Sequence, residues 1–237
     1  MVIFLKKISA LNSQYSVKLL RLPQTILIMK SKTSRTVAII VAHPDDEVLW
    51  AGGIILNNPQ WHYFIISLCR KNDEVRSSKF YKVLKFLDAQ GIMGDLDDEP
   101  EQKPLNDLEV EQKILDLLPN KHFDLIISHS PFGEYTKHLR HEEIGKAVIM
   151  LWNKGKIDTN KLWAFAYEDG NKKYFPKAIE NTPYFETLEK EIWTKKYNLI
   201  TEIYGFEKNS WEAKTTPKAE AFWVFNNTND ANMFLNK

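Results

Sequence analysis

An apolar run that ends in a cluster of charged residues constrains the fold of this chain most strongly. Residues 36–42 (TVAIIVA) lead directly into residues 43–47 (HPDDE). A continuous apolar run is typical of a strand that is covered on both faces, as strands of parallel sheets are. Short β-rich runs then alternate with longer helical patterns, which is the order of βα units. We therefore predict an α/β fold: a Rossmann-like, mainly parallel sheet with helices on both faces, in a single domain.

The pattern assigns most of the chain after residue 35 to particular elements. Strands are predicted at residues 36–42, 63–68, 124–128, 162–167 and 220–225. Helices are predicted after residues 43–47, from about residue 73 to a stop at Gly91, from Val110 to a stop at Pro119, from His141 to Leu151, and over residues 185–204. Residues 93–106 are rich in acidic and turn-forming residues, so we expect a solvated loop there.

The charge distribution divides the 237 residues into two segments. The formal net charge is +1, yet residues 1–44 contain seven basic residues and no acidic one, which leaves 25 basic against 31 acidic residues in the remainder. We predict a basic N-terminal extension over residues 1–35 and a mildly acidic domain over residues 36–237. The extension is interpreted as a basic amphipathic surface segment, a mobile tail, or sequence translated upstream of a start at Met29.

Composition excludes several classes of protein. The acidic domain has no basic stripe, so nucleic acid is not an expected partner. The apolar runs fall short of the roughly 20 residues that a transmembrane helix needs, and Val2 to Leu5 precede Lys6 and Lys7, the reverse of a secretory signal. The single cysteine, Cys69, lies in an apolar run, where a buried core residue in a reducing compartment is expected. A cytoplasmic protein is predicted, and its oligomeric state is left open.

Two loops carry residue types that bind metals. One is residues 43–47, directly after the first strand, and the other contains His138 and His141, between strand 124–128 and the next helix. Loops at the carboxyl ends of parallel strands converge, so a histidine and an aspartate from the first loop and a histidine from the second would make a three-ligand site with an open position for water. Each residue also has an ordinary explanation, because aspartates cap helices and histidines occur in solvated loops. Their coincidence at two strand ends favours the metal site.

The sequence AHPDDE after a buried strand, with a later histidine loop that opens a helix, resembles the PIG-L/LmbE family of zinc-dependent N-deacetylases over roughly residues 36–225. The resemblance implies removal of an acetyl group from a small N-acetylglucosamine-type sugar or sugar conjugate, with Zn²⁺ as cofactor. It also implies a role for each matching residue: His43, Asp46 and His141 as zinc ligands, Asp45 as general base, His138 as acid or oxyanion stabiliser, and Arg76 and Tyr135 as substrate-binding residues.

The second motif departs from the family pattern, which usually reads GEYGHPDH. This chain has one extra residue between Tyr135 and His138, and Leu139-Arg140 replaces the usual proline and acidic residue. Lys79, three residues after Arg76, occupies a position where the family often has an acidic residue. A carboxylate beside His138 would keep the histidine charged and oriented, whereas Arg140 would oppose this if its side chain pointed inward.

Three other functions remain as alternatives. A phosphoester hydrolase could use Mg²⁺ or Mn²⁺ through the carboxylates, although two histidines favour zinc. A nucleotide-binding Rossmann protein would need a glycine-rich turn after the first strand, and residues 43–47 do not provide one. A non-catalytic sugar-binding homologue is the third alternative. Of the many aromatic residues in the carboxyl-terminal half, we expect most to fill the core and one or two to line the pocket.

Overall fold

Seven strands form the central sheet of this protein. The computed structural model describes residues 33–101, 103–136 and 138–237. The described residues contain these strands: β1 (Thr36–Val41), β2 (His62–Cys69), β3 (Gln90–Leu96), β4 (Leu125–Ser128), β5 (Leu162–Phe165), β6 (Tyr167–Glu168), β7 (Lys177–Ala178), β8 (Tyr184–Thr187) and β9 (Ala219–Phe225). Of these, β6 and β7 form a separate two-stranded sheet. The helices are α1 (Asp46–Asn57), α2 (Glu74–Phe86), α3 (Asp107–Leu117), α4 (Leu139–Asn153), α5 (Lys190–Asn198), α6 (Trp211–Thr215) and α7 (Thr228–Leu235), and a π-helical turn (Leu199–Ile203) follows α5.

The sheet is mainly parallel and buried on both faces, as predicted. Its strand order is β3-β2-β1-β4-β5-β9-β8, with β1 to β5 parallel and with β9 and β8 antiparallel. The side chains of β1 alternate between two apolar cores because successive residues of a strand point to opposite faces. One core contains α1, α2 and the π-helical turn, and the other contains α3, α4 and α7.

The strand order reverses beside β1. The chain leaves β1 toward β2 and β3, then returns to place β4 on the other side of β1. The loops that follow β1 and β4 therefore diverge and leave a crevice at the carboxyl ends of these strands, which is where open α/β sheets bind ligands. The predicted metal-binding loops are these two loops, so the topology brings them together.

Three predicted elements are wrong in part. Gly91 does not end a helix but lies within β3, where a Cβ atom would stand 2.2 Å from the Ile65 carbonyl oxygen, so the glycine allows β2 and β3 to approach. Residues 93–96 belong to the same strand, with Met93 and Leu96 buried, and the loop after it carries the buried Asp98. The predicted long helix over residues 185–204 is confirmed from Lys190 to Ile203 by α5 and the π-helical turn. Its first residues instead belong to β8, because strand pairing with β9 outweighs local helix propensity.

The predicted N-terminal extension lies outside the described residues except for residues 33–35, and it stays a prediction together with the domain boundary. No helix in the described part of the chain is long and apolar enough to cross a membrane. Cys69 is fully buried, as expected, and the cytoplasmic location stays a prediction.

Candidate metal centre

Two helix starts carry the histidines and aspartates of the site. His43 and Asp45 lie in the short loop after β1, and Asp46 is the first residue of α1. His138 is the N-cap residue of α4, and His141 lies in the first turn of that helix. Neither Asp45 nor His138 makes a side-chain capping hydrogen bond, so the helix-capping explanation for Asp45 is wrong. The four residues other than His138 are buried.

Three ligand atoms from these residues lie close together. Nδ1 of His43 is 3.2 Å from Oδ2 of Asp46, and Oδ2 of Asp46 is 3.3 Å from Nε2 of His141. Nε2 of His141 is in turn 3.4 Å from Nδ1 of His43. Ligands about 2.0–2.1 Å from a tetrahedral ion are separated by roughly 3.3 Å. The three atoms can therefore occupy one face of a metal coordination sphere.

In His43 and His141, the ring nitrogen that faces away from the shared position has a carboxylate partner. Nε2 of His43 lies 3.1 Å from Oδ2 of Asp98, and Nδ1 of His141 lies 2.6 Å from Oε2 of Glu134. A hydrogen bond donated to a carboxylate fixes the tautomer of a metal-binding histidine and orients its other nitrogen toward the metal. The contacts thus leave the lone pairs of Nδ1 of His43 and Nε2 of His141 directed at the shared position.

A further histidine, His129, lies beside the same atoms. His43, His138 and His141 form one group that could hold a metal ion, and Asp46, His129 and His141 form another. However, Nε2 of His129 accepts a hydrogen bond from the Ala42 N–H at 2.9 Å, and Nδ1 lies 3.0 Å from Glu134. Both ring nitrogens of His129 are therefore engaged. The His129 ring stacks on the His141 ring with 3.8 Å between the ring centroids, and this contact helps to fix the orientation of His141.

The environments of the two adjacent aspartates differ. Burial and the neighbouring Asp46 carboxylate raise the pKa of Asp45 well above its usual value. Burial would also raise the pKa of Asp46, but His141, His129 and His43 hold that pKa well below its usual value. Trp50 donates a hydrogen bond to Oδ1 of Asp46 at 2.9 Å, which leaves Oδ2 beside the histidines. Carboxylates whose pKa values are pushed apart in this way commonly perform different tasks.

Asp45 has an unusual backbone conformation. Its φ angle is +125°, a region that residues other than glycine rarely adopt. The Asp45 N–H donates to Oε2 of Glu47 at 3.0 Å, and Tyr204 donates its hydroxyl hydrogen to Oε1 of the same carboxylate. Glu47 is fully buried, and burial raises its pKa to about 7. The π-helical turn ends immediately before Tyr204, so that turn places the hydroxyl against Glu47.

His138 is a neutral residue at the edge of the site. Burial and the neighbouring His141 and His43 lower the pKa of His138 to about 3. Its Nδ1 atom is buried and has no hydrogen-bond partner among the described residues. The carboxylate that usually accompanies this histidine in the PIG-L/LmbE pattern is absent from this sequence, and the attraction of Asp46 for the charged form of His138 is outweighed by burial and by the neighbouring histidines.

Arg140 does not point toward His138. Its guanidinium is fully buried and donates to the backbone carbonyls of Asp97 and Lys103 and, at 2.5 Å, to the Glu143 carboxylate. The inward orientation that would repel a charged His138 is therefore not adopted. Arg140 instead attaches the loop after β3 to the start of α4, and this loop carries Asp98 to its position beside His43.

The candidate metal centre opens into a cavity of about 250 Å³. Its lining includes Arg76 and Tyr135, the two predicted substrate-binding residues, and also Trp211. The Trp211 ring packs 4.9 Å from the Tyr135 ring. The expectation that one or two aromatic residues of the carboxyl-terminal half line the pocket is therefore confirmed by Trp211, whereas Trp163, Phe165, Tyr167 and Tyr204 are buried in the core.

Comparison with known proteins adds information about the fold. No family model matches the sequence. The chain is 23% identical over 176 residues to uncharacterized protein L374 of Acanthamoeba polyphaga mimivirus, a match covering 68% of this chain and 75% of the relative. The structure is similar to N,N'-diacetylchitobiose deacetylase from Pyrococcus horikoshii, with a TM-score of 0.57, 15% identity, and coverage of 81% of this chain and 84% of that one. The chain therefore has the fold of PIG-L/LmbE-type deacetylases.

Two further structures share this fold. A deacetylase of teicoplanin biosynthesis matches with a TM-score of 0.55 and 14% identity, covering 80% of this chain and 98% of that one. The 4-carboxy-2-hydroxymuconate hydratase GalB of Pseudomonas putida matches with a TM-score of 0.56 and 15% identity, covering 80% of this chain and 95% of that one. Because a hydratase shares the fold, the reaction has to be inferred from the site itself.

Proposed function

We propose that this protein is a zinc-dependent hydrolase that removes the acetyl group from an N-acetylated amino sugar of the N-acetylglucosamine type. The observation that carries the proposal is the mutual 3.2–3.4 Å separation of ligand atoms in His43, Asp46 and His141. Asp45, which contributes no atom to this set, lies beside them on the cavity wall. The fold, shared with deacetylases of chitobiose and of teicoplanin biosynthesis, supports the same reaction.

The donor set favours zinc. Two imidazole nitrogens and one carboxylate oxygen are typical of catalytic zinc sites, whereas Mg²⁺ and Ca²⁺ prefer oxygen ligands alone. When bound, zinc would supply a Lewis acid that polarises the acetamide carbonyl and lowers the pKa of a water molecule.

Asp45 is assigned as the general base. Its carboxylate would accept the proton of the attacking water and later return that proton to the departing amine. The raised pKa of Asp45 suits a group that must both accept and release a proton near neutral pH. The buried Glu47 carboxylate accepts a hydrogen bond from the Asp45 N–H and thereby holds the backbone of the base in place.

His138 and Tyr135 are assigned as donors to the carbonyl oxygen. A histidine whose pKa is lowered to about 3 is neutral at ordinary pH, so it can donate one N–H hydrogen bond but has no extra proton to transfer. Burial raises the pKa of Tyr135, so its hydroxyl also stays protonated. Both groups would stabilise the negative charge that develops on oxygen during attack, and His138 is not needed as an acid.

The charges of the cavity favour a neutral substrate. Asp45, Asp46, Asp98 and Glu212 face the cavity together with Arg70 and Arg76. Arg70 is bound to Asp98 through Nη2 at 2.6 Å. With a zinc ion bound, the ion and the two arginines would balance these four carboxylates, so the cavity would offer no net positive charge to attract a phosphoester or a carboxylated substrate such as the 4-carboxy-2-hydroxymuconate after which the GalB hydratase is named. An acetamide, in contrast, carries no charge.

Acetate release is the direct test. Protein loaded with zinc is expected to release acetate from N-acetylglucosamine-type compounds, and dialysis against a chelator is expected to abolish the activity until zinc is restored. Absence of bound zinc in protein equilibrated with the metal would contradict the proposal. Saturable sugar binding without acetate release would instead favour the non-catalytic alternative.

A further inference from the structure

Trp50 lies one helical turn after Asp46 on α1 and contacts it directly. Residues four apart on a helix face the same side, and Nε1 of Trp50 donates a hydrogen bond to Oδ1 of Asp46 at 2.9 Å. The Trp50 side chain is fully buried, so this bond is shielded from solvent. The indole therefore acts on a residue of the candidate metal centre from the protein interior.

The two carboxylate oxygens of Asp46 have different surroundings. Oδ2 accepts a hydrogen bond from the His43 N–H at 2.9 Å and lies 3.2 and 3.3 Å from ring nitrogens of His43 and His141. Oδ1 is instead engaged by the Trp50 indole. A carboxylate can bind a metal ion through one oxygen or through both. Because the indole N–H occupies Oδ1, the Asp46 carboxylate is held so that it offers Oδ2 alone.

The Trp50 side chain and backbone are both held by Tyr167, which belongs to β6. The Trp50 ring centroid lies 4.9 Å from that of Tyr167 and 6.0 Å from that of Tyr135. The Tyr167 hydroxyl also donates a hydrogen bond to the Trp50 carbonyl oxygen at 2.7 Å. These contacts between distant parts of the chain fix the indole in the orientation that reaches Asp46.

A buried ion pair holds the turn of α1 that follows Trp50. The Glu220 carboxylate accepts hydrogen bonds from the Gly53 and Ile54 N–H groups at 2.6 and 2.8 Å. Lys196 donates to the same carboxylate at 2.6 Å, and both charged side chains are buried. Gly53 permits this approach, because a Cβ atom there would stand 2.9 Å from Cδ of Glu220. The pair thus fastens α1 to β9 and α5 and limits movement of the helix along its axis.

We propose that Trp50 is a positioning residue that makes Asp46 a metal ligand through Oδ2 alone, and that the Tyr167 hydroxyl acts through Trp50. A ligand set with one atom from each of three residues leaves coordination positions open for water and substrate. If Oδ1 also bound the ion, one of these positions would be filled. This inference rests on the zinc site of the proposed function and assigns the residue that shapes it.

Zinc affinity tests Trp50 directly. Trp50→Phe removes the indole N–H but keeps an aromatic ring in the core, and affinity is measured by competition with a chromophoric chelator. A fall of about tenfold is expected, the lower end of the range for lost outer partners, because the His43 N–H still holds Oδ2. Trp152→Phe is the matched control, since it removes another buried indole donor, which binds the Thr159 carbonyl oxygen at 3.2 Å in the other core. The control should bind zinc like the wild type.

The visible absorption of bound Co²⁺ tests the number of ligand atoms. This absorption depends on the number and arrangement of the ligands, and it weakens when a ligand atom is added to a site with few ligands. Co²⁺-loaded Trp50→Phe, in which Oδ1 is released, should therefore absorb more weakly per bound ion than wild type and Trp152→Phe. A loss of stability alone would leave the spectrum of the bound ion unchanged.

Tyr167→Phe tests the contact from β6 while keeping every ring in the core. Loss of its single hydrogen bond to Trp50 should lower zinc affinity by about threefold, less than in Trp50→Phe because the indole remains. The double variant Trp50→Phe/Tyr167→Phe should bind zinc like Trp50→Phe alone, since the effect of Tyr167 passes through the indole. Tyr167→Phe also decides the question if Trp50→Phe does not fold.

The results separate this inference from the proposed function. Wild-type zinc affinity in Trp50→Phe or Tyr167→Phe, additive losses in the double variant, or an unchanged Co²⁺ spectrum in Trp50→Phe would overturn the role of Trp50. Acetate release by the wild type would leave the deacetylase function standing in each of these cases. The expected zinc and Co²⁺ results without acetate release by the wild type would support the role of Trp50 and overturn the deacetylase function. A wild type that binds neither ion would overturn both.

Discussion

His43 and Asp98 form a hydrogen-bonded pair between two loops, with Nε2 of His43 3.1 Å from Oδ2 of Asp98. Arg70 holds the same carboxylate, donating from Nε at 2.8 Å. Although burial opposes it, hydrogen bonding to His43 and Arg70 keeps the pKa of Asp98 below its usual value. The ionised carboxylate therefore orients His43, and the loop after β3 becomes part of the candidate metal centre.

Replacing Asp98 should weaken metal binding. In Asp98→Asn the negative charge opposite His43 is lost, and removal of such an outer partner typically lowers metal affinity by about 10–100-fold. Zinc affinity is measured by competition with a chromophoric chelator. Glu99→Gln changes an exposed carboxylate of the same loop and should bind zinc like the wild type. Equal affinity of Asp98→Asn and wild type would show that Asp98 does not orient His43.

Arg140 should contribute to stability rather than to catalysis. Arg140→Met leaves two carbonyl groups without their donor and removes the cationic partner of the partly buried Glu143 carboxylate, which keeps only the Leu105 N–H among the hydrogen bonds seen here, and this is expected to cost about 3 kcal/mol in the free energy of unfolding. Urea denaturation measures the loss. Lys146→Met removes an exposed pair with Asp107 and should cost under about 1 kcal/mol. A similar loss in both variants would contradict the structural role of Arg140.

The Tyr204 hydroxyl should matter for turnover. Tyr204→Phe removes a donor to the buried Glu47 carboxylate, which in turn holds the Asp45 N–H. We expect the free energy of unfolding to fall by roughly 1–3 kcal/mol because a buried acceptor loses its partner. We also expect kcat for acetate release to fall about tenfold, the equivalent of about 1.4 kcal/mol of transition-state stabilisation, because Asp45 is less firmly positioned, while zinc content stays at the wild-type level. Tyr197→Phe, on the preceding helix, is the control. A Tyr204→Phe enzyme with unchanged kcat would show that Glu47 positions Asp45 without this contact.

Asp169 binds Thr136, the residue after Tyr135, and should make the stability of the protein dependent on pH. Burial opposes ionisation, but the Thr136 hydrogen bonds lower the pKa of Asp169. A lowered folded-state pKa stabilises the protein above the unfolded value of about 3.9, and this contribution disappears as the pH falls through the folded-state pKa. The difference in unfolding midpoint between wild type and Asp169→Asn should therefore be constant above about pH 5 and shrink below about pH 4. A difference that persists unchanged at pH 3 would contradict this interpretation.

The sequence predicts the central strands of the sheet well. The run at residues 36–42 is apolar on both faces of the sheet, so its identity as a central strand does not depend on distant contacts. The two loops that carry His43, Asp46 and His141 follow strand ends that the topology places together, whereas the choice of these three residues as ligands rests on the family resemblance. The position of Cys69 at the end of a mostly apolar strand also identifies it as a core residue.

Other parts of the site depend on contacts between distant residues. Asp98 belongs to a run of acidic residues whose pattern is that of a solvated loop, and its contacts with the distant Arg70 and His43 hold it in the interior. Tyr204 reaches Glu47 across 157 positions through a π-helical turn that no local pattern indicates. Glu134 is different, because it lies inside the GEY segment that resembles the family motif and could have been proposed as the partner of His141. His129 carries no signal beyond its position after β4.

Acetate release by Asp45→Asn tests the central claim most directly. Asp45 has no ligand atom in the His43, Asp46 and His141 set, so zinc-loaded Asp45→Asn should contain as much zinc as the wild type and lose at least about 100-fold in kcat, the scale of general-base catalysis. Asp46→Asn provides the comparison and should lose zinc. Wild-type turnover by zinc-loaded Asp45→Asn, or loss of zinc from Asp45→Asn with retention in Asp46→Asn, would contradict the assignment of base and ligand.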